Sequence, residues 1–281
     1  MPGDGADRRD WSDLRARIVS GLVLASLGAS AAWFGGPWLA AACGAAVVAM
    51  SYEWARMSEP SSLDQAFAFA LAGSLGAVLI SSWGYLWLAT AWMGLCAGAS
   101  ACRRKSFSGV LESACGALYV GLPPAIFLWL RDRGPEGRDT ILVLFALIWS
   151  ADIFAYFGGK SIGGPRIARG LSPNKTWSGI VLGTLAAALA GYAIGATFHD
   201  GEEMRRVWFA IGALVGFTGL MGDLFESFLK RRFGVKDASG LIPGHGGVLD
   251  RIDSLMTATL LAGAALAFWP RLAALLFGVG Q

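Results

Sequence analysis

Apolar runs dominate the chain, and short polar connectors, many rich in glycine, interrupt them. A helix that crosses the hydrocarbon core of a bilayer needs roughly 20 mainly apolar residues. Nine stretches approach that length, at 18–34, 37–52, 66–82, 85–101, 110–130, 140–157, 180–198, 207–224 and 255–277. The period-two alternation of barrel strands is absent. The pattern therefore predicts an all-α fold, a polytopic integral membrane protein with about nine transmembrane helices. The first two runs are short and meet at Gly35-Gly36, which suits a tight hairpin. Pro123-Pro124 is expected to kink the fifth run and Pro270 to break the last.

Composition agrees. Of 281 residues, 55% are hydrophobic and 15% charged, too apolar for a water-soluble domain of this size. The 39 glycines suit close helix packing in a membrane, and the 12 tryptophans suit interfacial belts. Cys43, Cys96, Cys102 and Cys115 lie in or beside apolar runs without CxxC spacing and read as small buried residues rather than zinc ligands or disulfides. Residues 1–16 read as a cytoplasmic N-terminal tail, disordered or lying on the surface. The first run lacks a following cleavage site and reads as a retained helix. Two regions follow: membrane helices over 17–139, and a catalytic membrane region over 140–281 with motif loops at 158–179 and 225–254.

The net charge of +3 matters less than its distribution. With the N-terminus in the cytoplasm, only Arg131, Arg133, Arg138, Arg205, Arg206 and Arg271 of the 23 Lys and Arg fall outside. The positive-inside rule thus predicts a cytoplasmic N-terminus and an external C-terminus. It also puts both polar motif loops on the cytoplasmic face, where nucleotides are found.

The segment 227–253 concentrates the chemistry. Just before it, Asp223, Glu226 and Ser227 lie at i, i+3 and i+4 and would share a helix face. A carboxylate at membrane depth is costly unless it is paired or metal-bound. Asp223 is therefore a functional candidate, with a salt bridge to Lys230 or Arg231 as the plainer alternative. Asp250, Arg251 and Asp253 open the last span, and a flexible turn could bring Asp250 beside Asp223. Hard cations such as Mg2+ take oxygen ligands, commonly one or two carboxylates plus substrate phosphates. Asp223 with Asp250 is thus a plausible metal pair, although an acid at a helix N-terminus also complements the macrodipole. Lys230, Arg231, Lys236 and Arg251 could bind phosphates, and Gly246-Gly247 would let backbone N–H groups approach an anion. The same charges could equally face lipid headgroups. His245 is an orienting group or a ligand.

A second cluster lies upstream. Asp152, Tyr156 and Lys160 at i, i+4 and i+8 would line one helix face, and a Gly-rich loop then brings Arg166, Arg169 and Lys175. Ser172 or Asn174 is placed to cap the next helix. Two basic, Gly-rich loops, each preceded by a membrane-depth aspartate, read as two walls of one polyphosphate site. No Walker A sequence is present, which excludes a P-loop. Glu53, at the end of the second run, is a lesser candidate and reads rather as interfacial.

The segment from Ser227 to Asp253 resembles the signature of the phosphatidate cytidylyltransferase (CDP-diacylglycerol synthase) family. Its fixed positions are filled by Ser227, Lys230, Arg231, Lys236, Asp237, His245, Gly246, Gly247, Asp250, Arg251 and Asp253. Asp152, Tyr156, Gly159, Lys160, Ser172, Pro173, Lys175, Thr176, Trp177 and Gly179 also resemble family segments, while Asn174 and Ser178 depart from the commoner Lys and Glu. The resemblance implies a Mg2+-dependent membrane enzyme, often a homodimer, that converts CTP and phosphatidic acid to CDP-diacylglycerol and pyrophosphate. It implies Asp223 and Asp250 as metal carboxylates, assisted by Glu226 and Asp253, and allows K+ as a second cation. Lys160, Lys175, Lys230, Arg231 and Lys236 would contact phosphates, with Asp152, Tyr156, Ser172, Thr176, Ser227, Asp237, Gly246, Gly247 and Arg251 in the substrate site and His245 orienting. The lipid's diacyl chains would stay in the bilayer and enter between helices. A bacterial inner membrane location follows, with no nucleic-acid partner. A CTP-dependent polyprenol kinase would share the character but not the full signature. A CDP-alcohol phosphotransferase would need a DGxxAR-type motif that is missing. A transporter has no need of two basic Gly-rich loops on one face.

Overall fold

The computed structural model describes residues 21–58, 64–168, 170–242 and 246–278. The expected N-terminal tail, the start of the first span, Arg169 and His245 lie outside the described residues. The chain runs through α1 (Gly21–Phe34), α2 (Gly36–Ser58), α3 (Gln65–Ser81), α4 (Leu86–Ala101), α5 (Phe107–Arg131) and α6 (Pro135–Ser161). A short hairpin follows, β1 (Arg166–Ala168) and β2 (Ser172–Thr176), then α7 (Trp177–Phe198), α8 (Glu202–Arg232), α9 (Leu249–Phe268) and α10 (Leu272–Phe277). Each of the nine apolar runs falls on a helix, and the last breaks at Pro270, between α9 and α10. Among the described residues, α5 to α9 are long and apolar enough to cross a membrane, whereas α1, α3 and α4 are shorter apolar helices. Apolar side chains such as Leu79, Leu95, Leu185, Leu189 and Leu214 point outward, as expected where lipid rather than water is the solvent.

The chain is mostly helical, as expected, and one short β hairpin interrupts it. β1 and β2 pair antiparallel with an irregularity between Arg166 and Ala168, and the strand continues to Thr176. The cap of α7 is accordingly Thr176, whose hydroxyl accepts from Gly179 N at 3.2 Å, and neither Ser172 nor Asn174. α3 and α5 are capped in the same way, by Asp64 and Ser106. Gly35 and Gly36 both adopt positive φ, which separates α1 from α2 at a position where other residues would be strained. Arg131 donates to the carbonyls of Ala32 and Trp33 at that break, at 2.6 and 2.9 Å.

Small residues set how closely the C-terminal helices approach. A Cβ on Gly191 would strike the Trp208 carbonyl, and one on Gly212 would strike that of Ala187. α7 and α8 therefore pack backbone to backbone, the arrangement small residues allow in membranes. Gly183 rests on the Ala151 carbonyl of α6, and Gly222 on Thr257 of α9. The last two contacts hold the C-terminal halves of α6 and α8 against the N-terminal halves of α7 and α9, at one end of the bundle.

Candidate active site

A cavity of about 750 Å³ opens at that end. Asp152, Tyr156 and Lys160 line it from α6, because the helix runs unbroken through Ser161 and keeps the i, i+4, i+8 row on one side. Ser172, Lys175 and Thr176 enter from β2, with Gly179 and Ile180 from the first turn of α7. From α8 come Leu220, Asp223, Glu226 and Lys230; from α9, Asp250, Arg251, Asp253 and Ser254. Asp237 completes the wall. Residues of both motif segments thus line a single space.

Ion pairs organise its floor. Lys230 Nζ lies 2.7 Å from Glu226 Oε2 and 2.6 Å from Asp250 Oδ1, with the three side chains 13%, 3% and 6% exposed. Asp223 Oδ2 pairs with Lys175 Nζ at 2.5 Å, linking α8 to the hairpin. Asp250 is engaged further: its Oδ2 accepts from Gly247 N at 2.7 Å and Ala238 N at 3.2 Å. The alternative partner foreseen for Asp223, Lys230, is therefore committed to Glu226 and Asp250 instead.

Asp223, Glu226 and Asp253 can each present a carboxylate oxygen so that all three lie within 4.8 Å of one another. Two are buried, and Glu226 Oε1 is a buried acceptor without a hydrogen-bond partner among the described residues. Three convergent carboxylates, one with an unsatisfied buried oxygen, fit a hard divalent cation. Asp250 sits beside this group, with both oxygens already accepting hydrogen bonds.

Other expected residues stand apart. Arg231 donates to the carbonyls of Leu171 and Val235, at 3.3 and 3.2 Å, and so ties the hairpin to the end of α8. Lys236 is exposed, and Ser227 lies outside the lining. The cavity-facing row on α8 is Asp223, Glu226 and Lys230, which leaves Ser227 on the flank. Gly246 and Gly247 also lie outside the lining, since their close approach is to Asp250 and Glu53.

One contributor escaped the sequence, and a lesser candidate proved to have another setting than expected. Ser254, one turn beyond Asp250, lines the cavity and follows Asp253 on the same helix; its spacing could have signalled it. Glu53 is fully buried rather than interfacial, and its carboxylate accepts from Ser239 Oγ, Val248 N and Leu249 N. No local pattern could have paired positions so distant. Ser178, one of the two departures from the resembled pattern, bonds Thr176 Oγ1 at 2.9 Å and the Gly163 carbonyl, joining the loop after α6 to the start of α7.

A second, largely apolar cavity of about 460 Å³ adjoins the first. Its walls include Leu24 and Gly28 of α1, Cys43 of α2, Phe127 of α5, Phe145 of α6 and Leu255 of α9. Asp152, Arg251 and Ser254 line both spaces.

Residues 15–269 match the model of the cytidylyltransferase family. The phosphatidate cytidylyltransferase of Brucella abortus biovar 1 (strain 9-941) is 38% identical over 252 residues, covering 89% of this chain and 92% of that protein. The phosphatidate cytidylyltransferase of Brucella melitensis biotype 1 is 36% identical over the same length and coverage. That of Rickettsia bellii is 38% identical over 160 residues, or 55% of this chain and 69% of the relative.

Proposed function

The chain belongs to the cytidylyltransferase family, and we propose that the polar cavity is where it transfers a cytidylyl group from CTP to phosphatidic acid, giving CDP-diacylglycerol and pyrophosphate. The observation that carries this placement is that residues of both motif segments, Lys160, Lys175, Lys230 and Arg251 among them, line one space together with six acids. The lipid phosphate is the nucleophile and is already ionised near neutral pH, so the site needs no strong base. It must instead bring two anions together and hold them in line.

The charge of the cavity bears on how. Asp152, Asp223, Glu226, Asp237, Asp250 and Asp253 outnumber Lys160, Lys175, Lys230 and Arg251. A net-negative wall would repel CTP unless cations enter with it. A divalent cation, Mg2+ in our reading, would be held by Asp223, Glu226 and Asp253, with Asp250 beside them, and would supply charge neutralisation at the reacting phosphate. Lys160 and Lys175, on opposite sides of the hairpin loop, are placed to hold the nucleotide phosphates and the departing pyrophosphate. Arg251, at the junction of the two cavities, is placed to hold the lipid phosphate. The apolar cavity beyond it suits an acyl chain arriving from the bilayer. The distribution of Lys and Arg supports a cytoplasmic opening, in a bacterial inner membrane.

The test is transfer of label from radioactive CTP into lipid by purified protein, with phosphatidic acid and Mg2+. Labelled CDP-diacylglycerol from wild type is expected, with loss in folded Asp223→Asn and Asp253→Asn variants. Activity surviving in either variant would remove that residue from the ligand set. Release of CDP in place of pyrophosphate would point to a lipid kinase.

A further inference from the structure

The first turn of α9 carries Asp250 and Arg251, with Asp253 directly after it, and the N-cap residue, Val248, supplies no side-chain cap. The first amides of a helix need acceptors, and an anion there complements the positive end of the dipole. Glu53, on α2, meets this need from almost two hundred positions away. Its Oε1 accepts from Val248 N at 2.8 Å and from Ser239 Oγ at 2.6 Å, and its Oε2 from Leu249 N at 2.9 Å. Its side chain is 0% exposed. Ser239 Oγ in turn accepts from Leu241 N at 3.1 Å, which extends the grip into the loop.

The glycine pair serves the same device. A Cβ on Gly247 would come within 2.7 Å of Glu53 Oε1 and 2.9 Å of Ala238 Cβ. Gly246 has φ +83°, and a Cβ there would lie 2.7 Å from Asp250 Oδ2. The anions these glycines admit are the protein's own carboxylates, Glu53 on one side and Asp250 on the other.

We infer that Glu53 is a positioning residue for cytidylyl transfer. It sets the height and direction of the first turn of α9, and through it the placement of Asp250, Arg251 and Asp253 against α8. It touches no substrate; a fully buried acid with three donors from one loop acts only through that loop. The inference rests on the reading of the polar cavity as the transfer site.

Glu53→Gln tests it, since the amide keeps shape and burial but offers two donors where only acceptors are wanted. Lys160 and Lys175 lie on other elements and keep their places, so KM for CTP, measured at saturating Mg2+, is expected to stay within about twofold of wild type. kcat is expected to fall by about tenfold to a hundredfold, the scale on which catalytic groups respond to a shift of about 1 Å. Amide hydrogen exchange is expected to rise over 239–250 while α5 to α8 stay protected. Mn2+ binding, followed by electron paramagnetic resonance, is expected to weaken because Asp253 moves. An unchanged kcat in the folded variant, or an even rise in exchange over every helix, would overturn the inference. Should Glu53→Gln not fold, Ser239→Ala removes one donor to Glu53 and the acceptor of Leu241 N, and is expected to show the same local signature more weakly. Wild-type exchange and kcat in that variant would equally overturn it. If wild type makes no CDP-diacylglycerol the transfer reading fails, and exchange and Mn2+ binding still decide whether Glu53 sets the loop.

Discussion

Lys230 lies between two buried carboxylates, and its replacement by methionine is the perturbation whose size the structure fixes best. Nζ is 2.6 Å from Asp250 Oδ1 and 2.7 Å from Glu226 Oε2, and all three side chains are largely shut off from solvent. The attraction in such a triad is partly offset by the cost of desolvating the charges, so the native cluster need not stabilise the fold greatly. Removing the central cation is different. Two buried acids then face one another without compensation, and losing one partner of a buried ion pair costs about 3–5 kcal/mol. Methionine keeps much of the side-chain volume, so little of that loss is a cavity effect. Adding Glu226→Gln to Lys230→Met leaves one acid of the triad, Asp250, still bonded to Gly247 N and Ala238 N. The double variant is expected to be less destabilised than the two single losses together by about 0.5–3 kcal/mol. Reversible unfolding in mixed detergent micelles, followed by tryptophan fluorescence, measures all four species. Neither variant is expected to regain activity, because stability returns without the cation. A loss below about 1 kcal/mol in Lys230→Met, the range of solvent-exposed pairs, would refute the burial argument.

Three further outcomes follow from particular contacts. Ala at position 246 must take φ near +83°, so Gly246→Ala is expected to destabilise by about 1–2 kcal/mol, read by the same unfolding assay. Gly28 and Phe145 both line the apolar cavity, and a Cβ on Gly28 would lie 4.0 Å from Phe145 Cζ. Gly28→Phe is therefore expected to raise KM for long-chain phosphatidic acid several-fold while sparing a short-chain substrate, and equal effects on both would detach that cavity from acyl binding. Lys236→Cys, exposed beside the polar cavity, is expected to react with an impermeant thiol reagent only from the cytoplasmic side, and Arg206→Cys only from the other. The reverse pattern would invert the topology. Both probes need a background in which the exposed Cys102 and Cys115 have been replaced.

The sequence by itself determined where the helices lie, because a chain in lipid must satisfy its backbone internally and only long apolar runs can do so there. It also determined the row Asp152, Tyr156 and Lys160, since helical periodicity alone aligns them. The two motif loops were legible as polar, glycine-rich exceptions in an apolar chain. Boundaries and rotations were less so: the hairpin through Thr176 moved the cap of α7, and the setting of α8 put Lys230 rather than Ser227 beside Asp223 and Glu226. Only the tertiary structure decided which carboxylates converge. Local spacing pairs acids within one helix, but whether Asp253 of α9 meets Asp223 and Glu226 of α8 depends on how near those helices come, and Gly219 and Gly222 set that distance by packing against Ser254 and Thr257. Glu53 was the least legible residue, because its partners are backbone amides, which carry no side-chain signature, in a loop brought to it by the packing of the N-terminal helices on the catalytic ones.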